Sequence, residues 1–245
     1  MRILLTNDDG IEAEGLIALA EGLSPEHEVW IFAPDRERSG VSHALTLVTP
    51  CKVRKLSERT YSCSGTPADC IILALLGPVG IKPDLVVAGI NRGPNLGTDI
   101  VYSGTCGAAR EATLCGIPAI AVSCCASRNE RFGYGAALFF ISRNLEGLAA
   151  ACTDRIFVNV NAPSSDVEHL DAEWCSPCVR VYGNKVTTFS GPDGFDYCFL
   201  SGDGSHTVEG GVTDYSIVHS GKIALSPILV QPQLPAGFQS GRKLR

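Results

Sequence analysis

"RILLTNDDGIEAEGLIALAEGL", residues 2–23, is the stretch from which the fold is read. Its opening, residues 2–7, centres on an unbroken apolar run, the pattern of a strand buried on both faces rather than one. A polar turn follows at Asn7-Asp8-Asp9-Gly10, and from residue 13 to residue 23 apolar positions recur at helical spacing. Strand, tight turn and helix in that order form the first half of a βαβ unit.

The alternation continues outward from there. A strand is expected at 29–33, ended by Pro34, and a helix at 66–76, with Pro67 in its first turn and Asp69 suiting the helix dipole. Next come a strand at 85–90, a small-residue helix at 104–115, a strand at 118–123, a long helix at 135–151 and a strand at 156–160 that closes the series. Short connections and continuous Val/Ile/Leu strands predict an α/β fold: a Rossmann-like, doubly wound, mostly parallel sheet with helices on both faces. Beyond Pro163 the pattern changes to short β-like pieces at 179–181, 186–189 and 195–200, separated by glycine-rich turns at 183–184, 191–194 and 202–204. These read as a β-hairpin extension, a common means of contact between subunits. The expectation is an α/β core over residues 1–163 and an extension over 164–245 belonging to the same domain, with a fraying tail at 232–245.

The chain has 245 residues, 45% of them hydrophobic and 19% charged, enough to build a large core. A formal charge of −6 excludes a protein that grips polymeric nucleic acid by neutralising many phosphates. The N-terminus carries no secretory pattern, and no apolar run approaches the roughly 20 residues of a membrane span, so a cytoplasmic location without a membrane partner is expected. The eleven cysteines lie mostly in apolar segments and read as reduced core thiols. Cys175-Ser176-Pro177-Cys178 has the spacing of half a zinc site, but no second pair lies at the matching distance.

In an open parallel sheet, ligands bind outside the carboxyl ends of the strands near the switch in strand order. Three loops meet that condition: Thr6 to Gly10, Pro34 to Gly40, and Gly89 to Gly97. They carry carboxylate, hydroxyl and amide oxygens, hard donors that suit Mg²⁺, Mn²⁺ or Ca²⁺ better than zinc or copper. A divalent cation against Asp8 and Asp9 would turn their repulsion into attraction, with Gly10 allowing a sharp turn around it. The other reading makes one aspartate a cap for the helix beginning near Ala13 and leaves the second solvated. Tyr102-Ser103-Gly104-Thr105 precedes a helix, so it can receive a phosphate at the helix N-terminus or simply cap it. Gly89, Gly93 and Gly97 fit neither the dinucleotide nor the phosphate-loop glycine pattern.

Taken in order, "ILLTNDDGI" (3–11), "APDRERSG" (33–40), "SGTPADC" (64–70), "AGINRGPNLGTDIVYSGTCGAAREA" (88–112) and "GIPAIAVS" (116–123) resemble the SurE family of survival-protein-E nucleotidases. The hairpin region and tail match it only in general character. The resemblance implies one divalent cation per subunit, Mg²⁺ or Mn²⁺, bound by Asp8, Asp9, Ser39 and Asn91. It implies that Asn95, Ser103, Gly104 and Thr105 surround a bound phosphate, and that the substrates are nucleoside monophosphates, attacked by water at the 5′ and also the 3′ position. A homodimer or homotetramer is expected. Asp8 and Asp9 are the candidate catalytic residues, with Asp9 the favoured base. Cys106 occupies a position where the family favours a small aliphatic residue.

Two rivals are weighed against this. An aspartyl-phosphate mechanism usually needs two aspartates separated by one residue, whereas here they are adjacent and point apart. A non-catalytic nucleotide-binding regulator would use the same rim without releasing phosphate. His43, four residues after Ser39, is expected to bond its own loop, with proton donation to the leaving group the second reading. His206 and His219 read as structural and His27 as exposed.

Overall fold

The computed structural model describes residues 1–126, 132–166, 169–208 and 210–233. In chain order the elements are β1 (Arg2–Thr6), α1 (Glu14–Leu23), β2 (Glu28–Pro34), β3 (Val53–Lys55), β4 (Thr60–Cys63), α2 (Pro67–Leu76) and β5 (Leu85–Arg92). A short 3-10 helix (Gly97–Val101) then leads to α3 (Gly104–Leu114), β6 (Ala119–Cys125), α4 (Gly135–Ala151) and β7 (Ile156–Pro163). The remainder comprises β8 (Ala172–Trp174), β9 (Val179–Ser190), β10 (Asp196–Val208), α5 (Asp214–His219) and β11 (Ile223–Leu229).

The main sheet has nine strands in the order β3-β4-β2-β1-β5-β6-β7-β11-β8. Pairings from β4 through β7 are parallel, while β3 and β11 run antiparallel to their inner neighbours. Helices cover both faces, as expected of a doubly wound sheet. Leu16, Leu19 and Leu23 of α1 pack with Ile141, Leu145 and Leu148 of α4 on one face. On the other, Cys70, Ile71 and Ala74 of α2 pack with Ala108, Ala109 and Ala112 of α3. The small residues of α3 let its backbone lie close to the sheet. Strand order reverses direction between β1 and β5, which places the topological switch beside the Asp8-Asp9 turn.

Three sequence expectations are corrected. The series of sheet strands does not close at β7, because β11 pairs with it from Ala224–Asn161 to Leu229–Ile156 and β8 follows at the edge. Both lie in a region whose glycine-rich turns carry a hairpin pattern. The three short β pieces beyond residue 178 are two long strands instead: β9 and β10 pair from Val179–Val208 to Ser190–Asp196. Only the turn between them ends a strand; the glycines at 183 and 202 sit within the ladder, next to a register shift between Gly202 and Ser205. Finally, β5 continues past residue 90, because β6 still offers pairing partners to Asn91 and Arg92 through Ser123 and Cys124. That extension puts Asn91 on a rigid strand end rather than a free loop. Of the tail expected to fray, residues 234–245 lie outside the described residues.

Candidate active site

The turn after β1 is internally braced. Asn7 Nδ2 donates to Gly10 O at 2.8 Å, and Gly10 N donates back to Asn7 Oδ1 at 3.2 Å. Gly10 has φ of +104°, and a Cβ there would come within 3.0 Å of the Arg36 backbone, so the turn closes against the loop after β2 only with glycine. Arg38 N donates to Asp8 O at 2.6 Å and ties the two loops together.

The two aspartates face different elements. Asp8 is 4% exposed; its Oδ2 accepts from Gly104 N at 3.1 Å and its Oδ1 from the Thr105 hydroxyl, so it lies against the N-terminal turn of α3. Asp9 Oδ2 accepts from Arg92 N at 2.9 Å, at the end of β5. Neither caps α1, whose N-cap is Ala13 with no side-chain cap bond. The capping alternative for Asp8 and Asp9 therefore falls.

Electrostatics make the pair costly as it stands. Burial pushes the Asp8 carboxyl up, against the hydrogen bonds from Thr105 and Gly104. Asp9 is pushed up to about 6, first by burial and then by repulsion from Asp8 and Glu37, with the Arg92 N–H opposing. Two neighbouring carboxylates short of compensating charge are what a divalent cation neutralises. Asp9 and Ser39 line a cavity of about 340 Å³, together with Glu37, Arg92 and Tyr134. Ser39 Oγ donates to Glu37 Oε1 at 2.8 Å. Asn91 Nδ2 donates to Gly93 O at 3.0 Å, which leaves its Oδ1 as the atom suited to a cation. Asp8 and Asn91 are joined to this cavity through their neighbours Asp9 and Arg92 rather than lining it. Among the described residues no group of three or more His, Cys, Asp or Glu is gathered for a metal. A set of two carboxylates, a hydroxyl and an amide does not depend on such a group, and its hard oxygens fit Mg²⁺ or Mn²⁺.

The expected phosphate residues are fixed by buried bonds. Ser103 caps α3, its Oγ accepting from Cys106 N at 3.0 Å, while the Gly104 and Thr105 donors serve Asp8. Asn95 Nδ2 donates to Ser123 Oγ at 2.8 Å, its backbone N donates to Asn161 Oδ1 at 2.9 Å, and its carbonyl accepts from Asn159 and Asn161. Ser123, Asn159 and Asn161 are fully buried on β6 and β7. The alternating Phe-Val-Asn-Val-Asn of 157–161 carried the signal that could have found them, since two amides inside an apolar strand need partners.

In place of the expected bond to its own loop, His43 Nε2 pairs with Glu111 Oε2 at 2.6 Å on α3 and fastens the Ser39 loop to that helix. His219 stacks on Tyr215 at 3.8 Å and bonds its carbonyl, and His27 lies beside the N-terminal amine. All eleven cysteines are free thiols. Cys106 is fully buried and burial pushes its thiol up to about 12, which makes it inert. Cys175 faces the Leu225 carbonyl and Ser226, and Cys178 packs among Leu96, Ile217 and Val218.

A family model described as "Survival protein SurE" matches residues 3–184. The chain belongs to the SurE family. It is 41% identical over 235 residues to the 5'-nucleotidase SurE of Geotalea uraniireducens (strain Rf4), covering 93% of this chain and 92% of that one. To the 5'-nucleotidase SurE of Geobacter sulfurreducens it is 43% identical over 236 residues, covering 93% and 87%. The crystal structure of the SurE protein from Aquifex aeolicus superimposes with a TM-score of 0.80 at 32% identity, covering 95% of both chains. At 95% of this chain, that likeness extends beyond the parallel core into the C-terminal region. Of the cavity residues not expected from the sequence, Arg92 and Glu37 sit inside the quoted motifs, and Glu12, Glu14 and Tyr134 sit outside them.

Proposed function

We propose that this SurE family member hydrolyses nucleoside 5′-monophosphates, and as a second class 3′-monophosphates, to nucleoside and inorganic phosphate, with one Mg²⁺ or Mn²⁺ per subunit. Asp8, Asp9, Ser39 and Asn91 would hold the cation, which supplies Lewis-acid polarisation of a phosphoryl oxygen and a more acidic bound water. Asp8 is kept in one orientation by Gly104 and Thr105, so its oxygens need no reorganisation when substrate arrives. Asp9, open to the cavity, orients the attacking water and takes its proton on a carboxylate oxygen. Asn95 and Ser103 would face the phosphoryl oxygens, and the Gly104-Thr105 turn, whose donors hold Asp8, would surround them with the partial positive charge at the start of α3.

The observation that carries this reading is a buried carboxylate pressed on a helix N-terminus while its sequence neighbour opens onto a cavity; the family relationship supports the same chemistry. Phosphate release is to be measured from a panel of 5′- and 3′-mononucleotides with Mg²⁺, Mn²⁺ or chelator. Release that needs the cation is the expected result. Saturable nucleotide binding without release would instead favour a regulator. The apolar side chains along β9 and β10 support a second copy of this chain as the partner, in a homodimer or homotetramer. The location proposed is the cytoplasm; among the described residues no helix is long and apolar enough to cross a membrane.

A further inference from the structure

Asp214 has no exposed surface, yet its carboxylate serves three segments. Oδ2 accepts from Gly97 N at 2.7 Å, and Oδ1 accepts from Cys178 N at 2.9 Å and Tyr215 N at 2.8 Å. Gly97 is 117 positions away in sequence and begins the 3-10 helix Gly97–Val101, which leads to the Ser103 cap of α3. Gly97 has φ of +52°, and a Cβ on it would fall 2.0 Å from Cys178 O, so the segment is seated tightly on the base of the hairpin. A second tie lies one residue further on: Arg180 N donates to Thr98 Oγ1 at 2.9 Å and Arg180 Nη1 pairs with Asp99 Oδ2 at 2.7 Å. The Asp99 carbonyl in turn accepts from Ser103 N at 3.1 Å.

We propose that Asp214 and the Arg180–Asp99 pair are positioning residues: through them the C-terminal extension holds residues 95–103 in the geometry that binds phosphate. This rests on the phosphate-binding role proposed above for Asn95 and Ser103. The core bonds of Asn95 fix one end of the segment and the Ser103 cap fixes the other. The stretch between them is held by side chains of the extension. Binding of a charged group falls off steeply with displacement of about 1 Å, so loosening the stretch weakens phosphate binding before it unfolds anything.

The asparagine variant is informative because Asp214 uses both oxygens as acceptors. An amide NH₂ must face either one backbone N–H, that of Gly97, or two, those of Cys178 and Tyr215. The less costly orientation releases Gly97, the first residue of the segment in question.

The test uses full-length protein with Mn²⁺, comparing the wild type with Asp214→Asn and Asp99→Asn. It reads kcat and KM for a nucleoside 5′-monophosphate, the inhibition constant of inorganic phosphate, Mn²⁺ half-saturation, and thermal melting. The expected result is a rise in both KM and the phosphate inhibition constant, about tenfold for Asp214→Asn and about threefold for Asp99→Asn, with Mn²⁺ half-saturation unchanged. A purely architectural role would lower kcat in proportion to the folded fraction and leave both constants at wild-type values; that outcome overturns the proposal. If Asp214→Asn does not fold, Asp99→Asn decides alone by the same criterion. If the wild type releases no phosphate, the hydrolase reading fails, and calorimetric titration with inorganic phosphate takes over. Weaker binding by the variants then supports the brace and equal binding overturns it.

Discussion

At the carboxyl ends of β1, β5, β6 and β7, polar side chains are sunk to the level of the core: Asp8, Asn95, Ser103, Ser123, Asn159 and Asn161 are all 6% exposed or less. Along β9 and β10 the inversion runs the other way, with Leu200 87% exposed, Phe189 60% and Phe199 59%. A buried polar group is stable only when its bonds are made, and at the rim they are made among distant strands. An apolar side chain in water stays there only while nothing covers it. The two regions thus depart from ordinary burial for different reasons. On the reading proposed above, the rim would take a small, charged ligand and the hairpin another polypeptide surface.

The largest expected effect is at the rim. Asp9→Asn removes one charge from the cation set and is expected to lower cation-dependent phosphate release by about 10²–10³-fold while the thermal melt stays cooperative. Near-normal turnover would break the reading of the rim as a ligand site. On the hairpin, the double substitution Phe189→Ser with Phe199→Ser removes two large apolar groups from one face, their rings 6.1 Å apart, each worth about 1.5–3 kcal/mol when covered. Light scattering or sedimentation should then show at least a tenfold weaker self-association, with turnover per subunit changed less than about threefold. An unchanged assembly would show that the exposed apolar face is not where copies meet.

A third effect, smaller, concerns how the Ser39 side of the rim is held. Asp69 accepts from Thr46 N at 3.0 Å, from the Thr46 hydroxyl at 2.6 Å and from Thr66 N at 2.8 Å, while Thr66 caps α2 in return. Burial raises this carboxyl, but the Thr46 and Thr66 bonds outweigh it and hold the group below its ordinary 3.8. A depressed folded value means that the stabilisation is present above the unfolded value and is lost as pH falls through the folded one. Asp69→Asn should therefore cost about 1–3 kcal/mol at pH 7 in denaturant melts, and the gap to the wild type should narrow below about pH 4. A gap that is constant with pH would mean that the charge is not what holds the loop. The smallest effect is at Cys106. With its thiol buried and raised to about 12, Cys106→Ala should change kcat less than about twofold and leave the rate of inactivation by iodoacetamide as it is in the wild type.

Much of the architecture was legible along the chain because its elements are locally consistent. The 135–151 helix appears as Gly135–Ala151, and the helix at 66–76 begins one residue after the Thr66 cap, with Pro67 and Asp69 in the roles their chemistry suggests. The hairpin was less legible. Gly183, Asn184 and Gly202 look like turn residues, but strands paired over this length carry glycine inside the ladder without breaking. β8 and β11 escaped notice because Ala172–Trp174 is three residues long and Ile223–Leu229 contains Pro227, and each becomes a strand only when the other and β7 supply partners.

The sequence by itself determined the βα repetition, the family, and the presence of two adjacent carboxylates at the end of the first strand, because each depends on residues near one another in the chain. Only the tertiary structure decided what each carboxylate faces. Asp9 meets Arg92 across 83 positions, Asp8 meets Gly104 across 96, and Asp214 meets Gly97 across 117. No local pattern encodes those pairings. They arise because backbone N–H groups without a ladder or helix partner, at a strand end and at helix starts, must find acceptors, and the fold brings carboxylates from distant segments to supply them.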